Sequence, residues 1–305
     1  MILFIEQILN GVQIGLLLFL LAAGLTLVFG IMDLVNLAHG SLYMMGAYFA
    51  AVLTKLTGSF FLGALLALPA ALLLGIVVEV VALRSLYSRD HLDQVLATFG
   101  LILFFNEAAQ LVFGVAGMTI PLPEALQGQI QIMPGLPYPT YRFVVVAVGL
   151  ACALSLYWLV VRTRVGMLIR AGASNREMAG ALGVNIARLY TLVFGLGAAL
   201  AALAGLMAAP ITTVRVGMGE NILILAFVVI VIGGIGSVRG AFVAAFLVGL
   251  LDTVGRAFLP DILTLFINPI QAASLAQGLS SMLIYILMAL VLVVRPAGLF
   301  PAPGR

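Results

Sequence analysis

Glu79, Glu107 and Asp252 each stand inside a long apolar run. An ionised carboxylate in hydrocarbon costs a few kcal/mol or more unless it is paired or meets water, so each is a candidate for a transport pathway. Asp252 has a partner at hand, because Arg256 lies four residues on and on the same helix face, and this spacing favours an ion pair. Glu107 follows Asn106 and precedes Gln110, a polar stripe that either lines a pathway or joins two helices. Glu79 stands nearer the end of its run, where a structural role is expected. Asp33, Asn36 and His39 recur at three-residue steps between two apolar runs, and on a helix they would share one broad face. Interrupted helices with glycines at the break expose helix ends and backbone groups to a pathway. The alternative is that Asn36 and His39 hydrogen-bond neighbouring helices and fix a turn.

Other chemistries lack their residues. Lys55, the only lysine, lies between Thr54 and Leu56, so there is no P-loop through which the chain could bind and hydrolyse a nucleotide. His39 and His91 are the only histidines and Cys152 the only cysteine, which leaves no set for a zinc or haem site and no intramolecular disulfide. A serine hydrolase acting within the membrane would need a histidine in an independent span, and His91 falls in a polar loop beside Asp90 and Asp93. No cofactor and no enzymatic activity are expected.

The elements that carry these residues must sit in lipid. Of 305 residues 64% are hydrophobic and 8% charged, with a mean hydropathy of +1.27, whereas an ordinary soluble domain carries about 25% charged residues. So few charges cannot cover a water-soluble particle. Backbone polar groups in a bilayer must be satisfied internally, and the long unalternating runs select helices over a barrel. Nine apolar windows fall near 8 to 30, 40 to 58, 60 to 83, 95 to 116, 142 to 161, 190 to 209, 222 to 238, 240 to 259 and 280 to 295. The expected fold is all-α, a single polytopic membrane domain over residues 1 to 305 with about eight to ten spans. The first window lacks a basic leader and is expected to be a retained span.

Arg162, Arg164, Arg170, Arg176 and Arg188 crowd the segment from about 162 to 189, which the distribution of basic residues places in the cytoplasm. Alternation then puts ten bases inside, Arg84, Arg89, Arg239, Arg295 and Arg305 among them, against Lys55, Arg142, Arg215 and Arg256 toward the far side. The N-terminus falls outside unless a re-entrant segment near Asp33 changes the count. A net charge of +3 gives no reason to expect nucleic acid. Pro121, Pro123, Pro134, Pro137 and Pro139 make the exterior loop, about 117 to 141, an irregular but stiff connector or a ledge for an external partner. Gly11 and Gly15, four apart, are spaced to bring two helix backbones close.

Within the basic segment, Ser174 and Glu177 have capping-box spacing, and Gly183 suits the left-handed position that ends a helix. This predicts a two-turn helix outside the membrane. Such a helix is either an ordinary interfacial element anchored by its arginines or a rigid knob able to take force from a cytoplasmic motor.

The sequence resembles the LivH-type permease subunits of branched-chain amino acid ABC importers along nearly its whole length. The similarity is carried by Gly24-Leu-Thr-Leu-Val-Phe-Gly through Asn36-Leu-Ala-His-Gly40 and Gly46-Ala-Tyr48; by Glu177, Ala179 and Gly183, which match the pattern importer permeases present to their ATPases; by Gly233-Gly-Ile-Gly-Ser-Val-Arg-Gly-Ala241; and by Arg295-Pro-Ala-Gly-Leu-Phe300. Met178 replaces an Ala of the pattern, and Pro301 stands where Gly is frequent. The resemblance implies half of a translocation pathway in the cytoplasmic membrane of a prokaryote. It also implies a LivM-type second permease, two ABC ATPase subunits that bind the ATP, and an extracytoplasmic solute-binding protein. Ser174, Arg176, Glu177, Ala179 and Gly183 become the coupling residues; Asp33, Asn36, His39, Glu107 and Asp252 remain pathway candidates on polarity alone. Urea, short amides or other amino acids are the alternative cargo of the same machinery, and an ion-coupled secondary carrier is the competing class.

Overall fold

The computed structural model describes residues 2–301; Arg305, counted above among the bases, lies outside them. All nine apolar windows are helical. Helices α1 (Ile2–Met32), α2 (His39–Thr57), α3 (Phe60–Val78) and α4 (His91–Phe113) precede the proline-rich loop. That loop holds a single-turn α5 (Glu124–Gln127) and two strands, β1 (Gln129–Met133) and β2 (Leu136–Pro139). Helix α6 (Thr140–Arg162) leads into the arginine-rich segment with α7 (Arg164–Ser174) and α8 (Arg176–Ala181). Helices α9 (Ile186–Ala208), α10 (Met218–Gly233), α11 (Val238–Leu263) and α12 (Pro269–Val294) follow.

Among the described residues seven helices are long and apolar enough to cross a membrane: α1, α3 with its extension to Leu86, α4, α6, α9, α11 and α12. The other two windows differ for physical reasons. Helix α2 carries His39, Ser41, Thr54 and Lys55 and is buried along most of its length among α3, α9 and α10. Helix α10 has 16 residues, too few to cross a full hydrocarbon core alone. The outward faces of α3, α4 and α12 are apolar, with Leu65, Leu111 and Val293 largely exposed, as lipid contact requires.

Helix α1 runs through the centre, packed by α9 and α11. The Gly11–Gly15 pair makes the close approach its spacing predicts: a Cβ on Gly11 would meet Thr253 Oγ1 at 2.6 Å, and one on Gly15 would meet the Ala245 carbonyl at 3.0 Å. Dispersion contacts between closely apposed backbones hold helices together where lipid provides no hydrophobic drive.

The two ends of α1 define the two ends of the bundle. Near its N-terminus Asn10 accepts hydrogen bonds from Tyr138 and Arg142. At its C-terminus Gly30, Ile31 and Asp33 face the α7–α8 junction. The first is the proline-rich end and the second the arginine-rich end. The proline-rich loop is more regular than an irregular connector: β1 and β2 pair antiparallel around Gly135, whose φ of 87° makes the turn that a side chain would strain. A backbone bridge between Met118 and Val214 ties this loop to the α9–α10 connection.

Candidate functional site

The arginine-rich segment folds into two helices rather than one. Helix α7 extends through Ser174, so Ser174 is the last residue of one helix and not the cap of the next. The cap is Asn175, whose side chain accepts from the Met178 N–H at 2.9 Å. This corrects the capping-box reading of Ser174 and Glu177: the cap is moved one residue along, and Glu177 contributes a carboxylate to the first turn, where the helix dipole favours it. Gly183 does take the left-handed conformation, φ 91°, and the Val184 N–H returns to the Ala179 carbonyl at 3.1 Å. The chain then re-enters the bundle at α9, capped by Asn185.

Helix α8 projects from the bundle. Ala179 is buried against it, while Arg176 and Glu177 are exposed. Met178 and Leu182, four residues apart, are 58% and 79% exposed. Both large apolar side chains thus lie uncovered on the same side of this short segment. Sequence reasoning noted Met178 only as a departure from a pattern and missed the pairing with Leu182; their i, i+4 spacing was the available signal.

Asp33 joins this region. It ends α1 in the left-handed conformation at φ 53°, which Asp tolerates better than most residues. With Gly30, Ile31 and residues 172 to 177 it lines a cavity of about 340 Å³ between α1 and the α7–α8 junction. Its carboxylate lies 4.0 Å from His91 Nε2.

From Asp33 the chain runs without helix to Ala38. Backbone groups that leave a helix need other hydrogen-bond partners, and α4 supplies them. Gln94 Oε1 accepts from the Val35 N–H at 3.2 Å, and Thr98 Oγ1 accepts from the Leu37 N–H at 3.2 Å. Gln94 in turn donates to the carbonyls of Leu86 and Arg89. Neither Gln94 nor Thr98 was a sequence candidate, since polar residues in an apolar helix reveal nothing of a backbone some sixty positions away. Asn36 and His39 are wholly buried, and their side chains make no hydrogen bond among the described residues. The Leu21 backbone lies beside the His39 ring without hydrogen-bond geometry. His39 also abuts Gly24, where a Cβ would come within 2.9 Å of its Nε2.

Glu79 has a structural role. Fully buried, it is bound by Arg84 at 3.1 and 3.2 Å, by the Tyr87 hydroxyl at 2.6 Å and by the Thr191 hydroxyl at 2.8 Å. The helix widens into a π turn at Glu79–Leu83 as the carboxylate meets these partners. Burial and the adjacent carboxylate hold the Tyr87 phenol well above its ordinary range. Asp252 is paired with Arg256 at 2.7 Å, as the spacing implies. Glu107 is exposed on the outer face of α4, while its neighbour Asn106 donates to Glu220 at 2.6 Å. No group of three or more His, Cys, Asp or Glu side chains among the described residues could hold a metal ion.

Residues 7–292 match the profile described as branched-chain amino acid transport system / permease component. The chain belongs to this family. The permease is 28% identical to the high-affinity branched-chain amino acid transport system permease protein BraD of Pseudomonas aeruginosa, over 98% of this chain and 96% of the relative. It is 27% identical to the permease protein LivH of Escherichia coli over the same shares. A probable LivH of Methanocaldococcus jannaschii is 27% identical over 82% of this permease and 80% of that one. No solved structure matches. The permease is thus a multi-pass membrane transport component and not an enzyme.

Proposed function

We propose that this permease forms half of the translocation pathway of an ATP-driven importer for branched-chain amino acids, with its arginine-rich end in the cytoplasm. The observation that carries the reading is α8, a capped helix that presents Met178 and Leu182 outward at that end. An exposed apolar pair on a short capped helix is a natural contact for another protein, and a chain without a P-loop that is driven by ATP must take it from a partner. Two ABC ATPase subunits fit both needs. In this reading α8 seats on an ATPase, and nucleotide-driven closure displaces it. Through Asn185 and α9 the movement reaches Thr191, Glu79 and α3, and through α7, which packs on α1, it reaches Asp33 and the break beside Asn36 and His39.

Glu107 faces away from this chain, which fits a pathway formed jointly with a LivM-type second permease. An extracytoplasmic solute-binding protein delivers cargo to the proline-rich end. The substrate class comes from the names of the relatives. Purified complex in proteoliposomes tests the reading: leucine uptake should require ATP, both ATPases and the binding protein. Uptake driven by a proton or sodium gradient through this chain alone would contradict it.

A further inference from the structure

Beside the close contact of Gly75 with Ala198, α3 and α9 form a groove of about 400 Å³. Leu72 and Ile76, one turn apart on α3, make one wall, and Leu192, Gly195 and Leu196 of α9 make the other. The groove lies at the bundle surface, since Leu192 is 42% exposed and Leu73 and Val77, next to the α3 wall, are more exposed still. Arg188 lines its arginine-rich end, one turn before Leu192, and is the only charged residue of the lining. Its side chain is exposed and makes no hydrogen bond or ion pair among the described residues. It stands in the first turn of α9, where the helix dipole disfavours a cation, so the helix itself does not account for the charge. The other polar lining group, the Thr191 hydroxyl, is already engaged, donating to Glu79 and accepting from Arg84.

We propose that this groove holds an anionic phospholipid of the leaflet at the arginine-rich end, with its phosphate on Arg188 and one acyl chain against Leu192, Gly195 and Leu196. A guanidinium offers paired N–H donors to a phosphate, and basic sites between membrane helices bind anionic head groups. At a rise of about 1.5 Å per residue, Arg188 stands roughly 10 Å from Gly195 along α9, so charge and apolar wall follow one another as head and tail do in a lipid. Gly195 keeps the groove wide, since a Cβ there would come within 3.4 Å of Ile76 Cγ1. A free amino acid fits less well, because the lining has no carboxylate for its ammonium, and a small anion would leave the apolar walls uncovered. A helix of the second permease could cover the walls but would have to bring its own acid to Arg188. The inference needs only that the arginine-rich end lie at a membrane surface and is independent of the importer reading.

Photolabelling tests it on the intact transporter in nanodiscs that contain phosphatidylglycerol with a diazirine in its acyl chain. Adducts should map to residues 72 to 76 and 192 to 196, and unlabelled phosphatidylglycerol should compete where phosphatidylcholine does not. Arg188→Gln should lower groove labelling about fivefold, the effect of one arginine near an anionic lipid surface, and Arg188→Lys should keep most of it. Leu192→Trp fills the groove while leaving the charge in place, and it should remove the adducts. Labelling around Leu111 and Val293, on the outward faces of α4 and α12, should be the same in every variant. The site is refuted if a phosphatidylcholine probe labels the groove equally, or if Arg188→Gln and Leu192→Trp leave its labelling unchanged relative to Leu111 and Val293. It is equally refuted if the groove stays unlabelled in the assembled transporter because the second permease covers it. Labelling requires neither ATP nor a binding protein, so ATP-independent uptake with a labelled groove removes the importer and leaves the lipid site, while ATP-dependent uptake with an unlabelled groove does the reverse.

Discussion

The Thr191 hydroxyl donates a 2.8 Å hydrogen bond to the Glu79 carboxylate and so ties the start of α9 to the end of α3 across 112 residues of sequence. Arg84 donates both to that carboxylate and to the Thr191 hydroxyl, closing a compact polar cluster in an apolar bundle. A buried carboxylate is stable only while its partners are all present. Helix α9 follows α8 directly, so the cluster sits at the start of the next element along the chain.

Thr191→Val removes one donor to the buried carboxylate while keeping the volume. It should lower the stability of the detergent-solubilised protein by about 1–3 kcal/mol, the cost of an unmade bond to a buried group. A thermal unfolding scan measures this, and an unchanged transition would show that the hydroxyl is dispensable.

The cap of α8 gives a sharper comparison. Asn175→Ala removes the acceptor for the Met178 N–H and should destabilise the helix by about 1 kcal/mol, whereas Ser174→Ala should be neutral. Hydrogen exchange at the amides of Glu177 to Ala179 reads the difference. Faster exchange in Ser174→Ala than in Asn175→Ala would reverse the assignment.

Much of the fold was legible because lipid imposes a simple rule: each of the nine apolar windows had to become a helix. The boundary at Ser174 was misplaced for a local reason. Ser174, Asn175 and Glu177 offer two overlapping capping registers, and only the length of α7, unreadable in a segment of alternating arginines and small residues, selects Asn175. The pairing of Asp252 with Arg256 was legible because both partners lie one helical turn apart. Gln94 and Thr98 were not, because they act on backbone groups, which no residue type announces. The β1–β2 hairpin was hidden by its own prolines. Pro137 and Pro139 occupy β2 of a two-stranded sheet, an edge position where a missing N–H is tolerated.

Thr98→Val should expose the role of α4 in holding the break. It leaves the part-buried Leu37 N–H without its acceptor, at a cost of about 1 kcal/mol, and should loosen residues 34 to 38. Proteolysis or amide exchange of that segment measures the effect, with unchanged protection as the opposing result.

Helix crossings limited by backbone contact should be intolerant. A Cβ on Gly46 would lie 2.4 Å from the Ala202 Cα, so neither side chain has room to turn away. Gly46→Val should abolish accumulation of folded protein, since overpacking alone costs about 1–3 kcal/mol even where side chains can shift. Gly100→Ala, in the middle of α4 with no atom within 4 Å of the added carbon, should be tolerated and stabilise by up to about 1 kcal/mol. Size-exclusion profiles of the two variants give the contrast; equal yields would contradict the packing.

The central claim is that α8 is where the motor grips, and disulfide trapping tests it most directly. Cys152 is the only native cysteine, so a Cys152→Ala, Leu182→Cys chain carries one thiol at the tip of the knob. Paired with single cysteines placed in the ATPase surface, it should form a crosslink whose yield changes with bound nucleotide and which stops uptake until reduced. A transport-competent complex in which Leu182→Cys crosslinks to no ATPase position under any nucleotide condition would contradict the account.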